Sequence, residues 1–258
     1  YFSGKNADMS FSKTVLSNGL TVLSYPMPSV RSISLGLWFR VGSRDENTQQ
    51  AGLTHFMEHM MFKGTSTKGP LEISMHFDKL GAEFNAFTSK EYTCYYARFV
   101  DDKLKDALSM LAEMVIDSTF SDEAIQTERE VVIEEIARSE DTPDDYVFEL
   151  YNSSTFSGHS LGLPVLGTRA RVGSYTHDDC QEFHDRYYHT GNLVVAAAGN
   201  LDHDALVALV EQYFSSMKQG KTLIRETPQP LFSSGMYSAQ RDTEQAHLLY
   251  GFPWYGVG

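Results

Sequence analysis

Residues 53–65 read LTHFMEHMMFKGT. Leu53, Phe56, Met57, Met60, Met61 and Phe62 make the stretch mostly apolar, yet His55, Glu58 and His59 are set inside it. On a helix, His55 and His59 lie about 40° apart on one face and one turn apart, so both rings can grip one metal ion. Glu58 falls about 60° to the other side of His55, close enough to reach a water on the same ion. The apolar remainder predicts a buried helix. Free imidazoles and an ionised carboxylate are costly there unless something compensates them.

A second helix, SDEAIQTEREVVIEEIARSE, offers the compensation. Ser121 and Asp122 supply its cap and acidic first turn. With about 100° per residue and Glu135 at zero, Ala124, Ile125, Val131, Val132 and Ile136 fall between about −40° and +100°. That arc is the expected core face, and Glu123, Glu130 and Glu134 point away from it. Glu128 and Glu135 land within about 20° of each other in its middle. Two carboxylates placed there should be protonated, paired or metal-bound. Pairing would use Arg129 or Arg138, whereas one divalent cation solves both burial problems together. One glutamate then serves as third ligand and the other orients a histidine from behind; spacing does not choose between them. Two His, one Glu and an open fourth position form a catalytic zinc arrangement, and no thiolate takes part. Such an ion polarises a carbonyl and acidifies its water. Glu58 takes the proton and passes it to a leaving amine. The expected chemistry is peptide-bond hydrolysis.

The 258 residues suffice for one large domain, or for one domain and part of another. The chain has 41% hydrophobic residues, with 16 Phe and 14 Tyr, enough for a sizeable core. No apolar run approaches the roughly 18–20 residues of a membrane helix, so no membrane role is expected. Thirty-four acidic against 21 basic residues give a net charge of −13, which disfavours nucleic acid and is compatible with basic substrates. Cys94 and Cys180 belong to no CxxC or Cys/His cluster and read as reduced thiols. The start, YFSGKNADMS, carries no signal-peptide pattern.

Strands and helices mix along the chain. TVLSNGLTVLSYP predicts a hairpin at Asn18-Gly19. SISLGLWFRVG predicts a strand with Ile33, Leu35, Leu37 and Phe39 on one face. Helices are expected from about 48 to 62 and 70 to 80, then strands in EFNAFTS and YTCYYARFV. DDKLKDALSMLAEMVID and DYVFELYNS are helical, and GHSLGLPVLGTRARVG is loop-like. A helix over about 177–188, the strand NLVVAAAG and a helix near 204–217 follow. The expected fold class is α+β, a mostly antiparallel sheet packed against several helices. The first unit is placed at 1–222 and a linker at 223–236. Residues 237–258 are expected to open a second, similar unit, because EQAHLLYGF alternates as SISLGLWF does.

HFMEHMMFKGT, GAEFNAFTSKEYTCYY, EREVVIEEI and LVVAAAGN together resemble the pitrilysin/insulinase (M16) family of zinc peptidases with the inverted H-x-x-E-H motif. Within it they are most similar to the mitochondrial processing peptidase β subunit and bacterial processing-peptidase-like proteins. By position, the resemblance implies that His55 and His59 ligate Zn2+, that Glu58 is the base, and that the third ligand falls on Glu135. Glu128 is then implied as the group behind a ligand. The strand matching EFNAFTS is implied as an edge on which peptide adds, touched by Asn85 and Ala86, with Phe56 lining a side-chain pocket. Family members of this type carry two similar halves that close like a clam shell, often as homodimers or as heterodimers with a related subunit. The family's second-half Arg and Tyr have no counterpart here, so a truncated second half is expected. The implied function is hydrolysis of short, unfolded or presequence-like peptides. The alternatives are a non-catalytic partner subunit or a peptide-binding module. The implied setting is the bacterial cytoplasm, or alternatively the mitochondrial matrix.

Overall fold

A computed structural model of the chain describes residues 11–225, 231–242 and 244–253. The decapeptide 1–10, the centre of the expected linker (226–230), Thr243 and the end of the expected second unit (254–258) lie outside the described residues.

The chain opens with β1 (Ser12–Val15) and β2 (Thr21–Pro26), an antiparallel hairpin whose turn carries Gly19 at φ 89°. There Asn18 accepts the Leu20 N–H through its side chain, which is why Asn and Gly suit these two positions. β3 (Ser32–Phe39) leads to helix α1 (Leu53–Met60) and α2 (Pro70–Leu80). β4 (Glu83–Thr88) and β5 (Thr93–Val100) form a second hairpin. Then follow α3 (Leu104–Ile116), α4 (Asp122–Asp141), α5 (Pro143–Thr155), the single turn α6 (Arg169–Val172) and α7 (His177–Tyr187). β6 (Leu193–Gly199) and α8 (His203–Tyr213) complete the order. Among the described residues no helix is long and apolar enough to cross a membrane.

The six strands make one sheet in the order β1-β2-β6-β3-β5-β4. Among the described residues only β2 and β6 run parallel; the other neighbours are antiparallel, as expected. On β3 the alternation buries Ile33, Leu35, Leu37 and Phe39 in one core with residues of α1, α3, α4, α7 and α8. A shallow trough on the sheet is lined by strand residues and Phe11, with no helical residue, so the helices leave that face uncovered. There Trp38 meets the Phe87 ring edge-on, with centroids 5.7 Å apart.

Three local expectations change. α1 begins at Leu53 rather than near 48, because Gly52 at φ 91° reverses the backbone just before it. The stretch expected as a loop includes the turn α6, capped by the Thr168 side chain. Residues 244–252 form no strand. Their alternating pattern has no ladder partner, since neither sheet edge pairs with them, and Leu248, Tyr250 and Phe252 are exposed.

Gly52 also permits a close approach. A Cβ there would lie 2.6 Å from both the Gly167 Cα and the Leu166 carbonyl oxygen. Gly52→Ala is therefore expected to lower stability by more than about 1 kcal/mol, from backbone strain and collision together. The shift of the urea midpoint at constant slope measures it.

Candidate metal centre and cleft

α1 is short and its N-cap, Gly52, has no side chain to satisfy the first amides. The task falls to Glu46, whose carboxylate accepts the Gly52 N–H at 2.9 Å and the Thr54 N–H at 2.6 Å. Glu46 is 4% exposed. Burial pushes its carboxyl up to about 7, against the pull of the Thr54 and Gly52 hydrogen bonds. Neither periodicity nor motif pointed to Glu46. Its only signal was an acidic residue a few positions before a helix that lacks its own cap.

From this anchored start, α1 packs against α4 and β4 and turns His55, Glu58 and His59 toward them. On α4, Glu128, Ile125, Val132 and Ile136 are buried and Glu123, Glu130 and Glu134 are exposed, as expected. Val131, expected in the core, is 46% exposed. The buried arc is therefore narrower, running from Glu128 round to Ile136. Glu135 and Val131 sit at its rim, where α4 borders open space.

His55, His59 and Glu135 converge. The Glu135 Oε2 lies 3.7 Å from His55 Nε2 and 3.5 Å from His59 Nε2, and one donor atom from each residue falls within 4.8 Å of the others. Behind them, Glu128 Oε2 is 3.1 Å from His59 Nδ1. A carboxylate accepts here, so His59 carries a proton on Nδ1 and turns Nε2 toward Glu135. The geometry thus separates the two glutamates, with Glu135 among the donors and Glu128 behind His59. Glu128 pairs not with an arginine but with Lys63, at 2.6 Å; Arg129 instead donates to the Tyr175 carbonyl. Lys63 was legible only as the next residue of the α1 stretch.

The electrostatics follow from these contacts. Burial first, then the neighbouring His59, pulls His55 down, which keeps its imidazole neutral and ready to ligate. Burial opposes charge on His59 as well, but hydrogen bonds to Glu128 and Glu135 outweigh it and raise its pKa. Glu128 is held below the usual range because His59 and Lys63 overcome its burial. Glu135 is lowered too, by His59 first, against burial. Two imidazole nitrogens and a carboxylate oxygen, with no sulfur, suit a divalent cation of borderline softness such as zinc.

Glu58 is half-buried beside this cluster, and Thr88 at the end of β4 donates to its Oε2 at 2.5 Å. Burial raises the Glu58 pKa and the Thr88 hydrogen bond works against that. A cavity of about 330 Å³ opens here, lined by Glu58, His59, Phe62, Lys63, Phe84 and Asn85. β4 is an edge strand. Asn85 on it is exposed, and its Oδ1 accepts the N–H of Ala86, which is half-buried. Phe56 does not line the cavity. It is fully buried, with its ring 5.6 Å from that of Tyr175, so the pocket expected of it is walled by Phe62 and Phe84 instead. Phe62 lies just past the end of α1, with its N–H on the His59 carbonyl and its ring 5.7 Å from that of Phe84.

Known proteins resemble this chain over most of its length. Residues 21–169 match the family described as Insulinase (Peptidase family M16), and residues 174–257 match one described as Peptidase M16 inactive domain. The chain is 42% identical over 242 residues to a Bacillus subtilis protein named zinc protease YmxG, covering 93% of this chain and 58% of that protein. It is 41% identical over 244 residues to a zinc protease of Rickettsia felis, covering 94% of this chain and 58% of that one. A protease structure from Helicobacter pylori superposes with a TM-score of 0.77 at 26% identity, over 86% of this chain and 54% of that one. The chain thus spans somewhat more than half the length of the relatives it matches.

Two outcomes are expected. Glu135→Gln should weaken zinc binding more than Glu128→Gln, which should cost about 10–100-fold; competition with a chromophoric chelator ranks them. The second concerns Glu46. Its folded-state value lies above the ordinary 4.5, so its stabilising contribution is full below about pH 4.5 and is lost as pH rises through about 7. Urea titrations should show wild type losing stability relative to Glu46→Gln, which cannot ionise, across that window.

Proposed function

The chain belongs to the insulinase family (peptidase family M16), and from that premise we propose that its full-length protein is a zinc endopeptidase cleaving short, extended peptides. The observation that carries the reading is the meeting of His55, His59 and Glu135 at one point, with Glu58 beside them over a cavity bordered by an edge strand. Zinc held by those three residues would supply Lewis acidity, polarising the scissile carbonyl and acidifying a water.

The chain's own groups do the rest. Thr88 fixes one oxygen of Glu58, so the other is free to take a proton from water and return it to the departing amine. Partial burial raises the Glu58 pKa, which suits a group that must both accept and release that proton. β4 offers unpaired backbone groups to a peptide lying beside it, and Asn85 stands at that edge to hold the peptide chain. Only an extended segment can pair in this way, hence unfolded or presequence-like substrates. The net charge of −13 favours basic ones. Phe62 and Phe84 give the cavity apolar walls. A second, similar half would close over the cleft, within one chain or across a homodimer or a heterodimer with a related subunit. The free, buried thiols of Cys94 and Cys180 fit a reducing compartment, either bacterial cytoplasm or mitochondrial matrix.

A second reading, a non-catalytic subunit that only holds peptide, draws on the match to an inactive-domain family. That match starts at residue 174, past every residue of the cluster, so it leaves the metal site intact.

Glu58→Gln separates the two. In the full-length protein it is expected to keep zinc while hydrolysis of a quenched peptide falls by at least about 10²-fold. A wild-type protein loaded with zinc that cleaves no member of a mixed peptide library would favour the non-catalytic reading.

A further inference from the structure

The segment after α8 does not leave the domain directly. Thr190 N–H donates to the Lys218 carbonyl at 3.0 Å, and Leu223 N–H to the Asn192 side chain at 2.7 Å, so the chain is laid back along the domain. It ends on Arg225. The guanidinium grips Asp45 with two parallel hydrogen bonds, Nε to Oδ1 at 2.7 Å and Nη2 to Oδ2 at 2.8 Å. Nη2 also donates to the Glu91 carbonyl at 2.5 Å. The two paired side chains are only 13% and 6% exposed.

Both targets belong to elements of the cleft. Asp45 lies in the turn just before Glu46, the residue that caps α1, and its carboxylate also accepts the Gly42 N–H at 3.0 Å. Glu91 lies in the turn joining β4 to β5, and β4 is the edge strand that carries Asn85 and Thr88. The two turns touch through their backbones, with Ser43 N–H on the Ser89 carbonyl at 3.2 Å and Arg44 N–H on the Lys90 carbonyl at 2.7 Å. Arg225 is thus a fork laid across the join. A bidentate guanidinium fixes direction as well as distance, which a single ammonium cannot do.

We infer that Arg225 is a positioning residue that holds the helix bearing His55, Glu58 and His59 in register with the peptide-binding edge strand. Its influence on turnover rests on the peptidase reading above; its influence on the two turns does not. Arg225 touches neither the metal donors nor the cavity, and it acts through Asp45 and Glu46 on one side and the β4–β5 turn on the other.

The test uses full-length protein carrying Arg225→Ala, Arg225→Lys or Asp45→Asn. Arg31→Ala serves as control, since it removes a bidentate pair with Asp101 remote from the cleft. In Arg225→Ala, amide exchange at Ser43, Gly52 and Thr54 is expected to accelerate about tenfold or more while the central strands stay protected. Zinc content should remain as in wild type. For a quenched peptide, kcat should fall about tenfold with KM changed less than about twofold, the mark of lost alignment rather than lost binding. Arg225→Lys should recover part of both effects, Asp45→Asn should reproduce them, and Arg31→Ala should show neither. Unchanged exchange at Gly52 and Thr54 in Arg225→Ala, or exchange raised equally throughout the chain, overturns the inference. Should Arg225→Ala fail to fold, Arg225→Lys decides by the same amides. Should wild type cleave nothing, the peptidase reading fails and the exchange data still judge the positioning role.

Discussion

Everything at the cleft depends on the contact between α1 and α4. A helix as apolar as Leu53–Met60 has to be buried, and it takes two imidazoles and a carboxylate with it. What makes this tolerable is that Glu128 and Glu135, two turns apart on one face of α4, reach the two nitrogens of His59, and that Lys63 neutralises the more deeply buried of the two. Removing one partner would leave another buried and unpaired, which costs more than the pair contributes. The negative potential that raises His59 is also what favours a cation at the point where the three donors meet.

The second constraint is how the sheet is assembled. β6 comes from late in the chain, yet it lies between β2 and β3, with register contacts from Thr21 to Pro26 on one side and Ile33 to Phe39 on the other. The strands of the N-terminal region are therefore joined only when 193–199 is in place. The region matching the insulinase family ends at 169, so the folded unit needs residues beyond that match. This ordering leaves β4 at the edge, next to β5 and facing α1. The hairpin then delivers Thr88 to Glu58 and exposes Asn85 alongside the cavity.

Much of this was legible in the amino-acid order. The 3.6-residue period set His55 and His59 on one face, and alternation along 32–39 marked the buried face of β3. Both are local consequences of backbone geometry and survive any change of neighbours. The same reasoning misjudged Val131. A helical wheel gives the direction of a side chain and says nothing of where the neighbouring element stops. Phe56 was misassigned for a related reason: it lies on α1, but on the side turned toward Tyr175 and the core.

By itself, then, the sequence determined that His55 and His59 share one face of a buried helix and that their charge needs a partner, because spacing within one helix is fixed by covalent geometry. It did not determine which partner. Glu135 rather than Glu128 among the donors, a choice that spacing left open, Lys63 behind Glu128, Thr88 on Glu58 and Arg225 across the two turns are contacts between segments far apart in the chain. No periodicity encodes them. They exist because the packing of helices on a sheet with a non-sequential strand order brings those side chains within a few ångströms, and only the folded arrangement sets those distances.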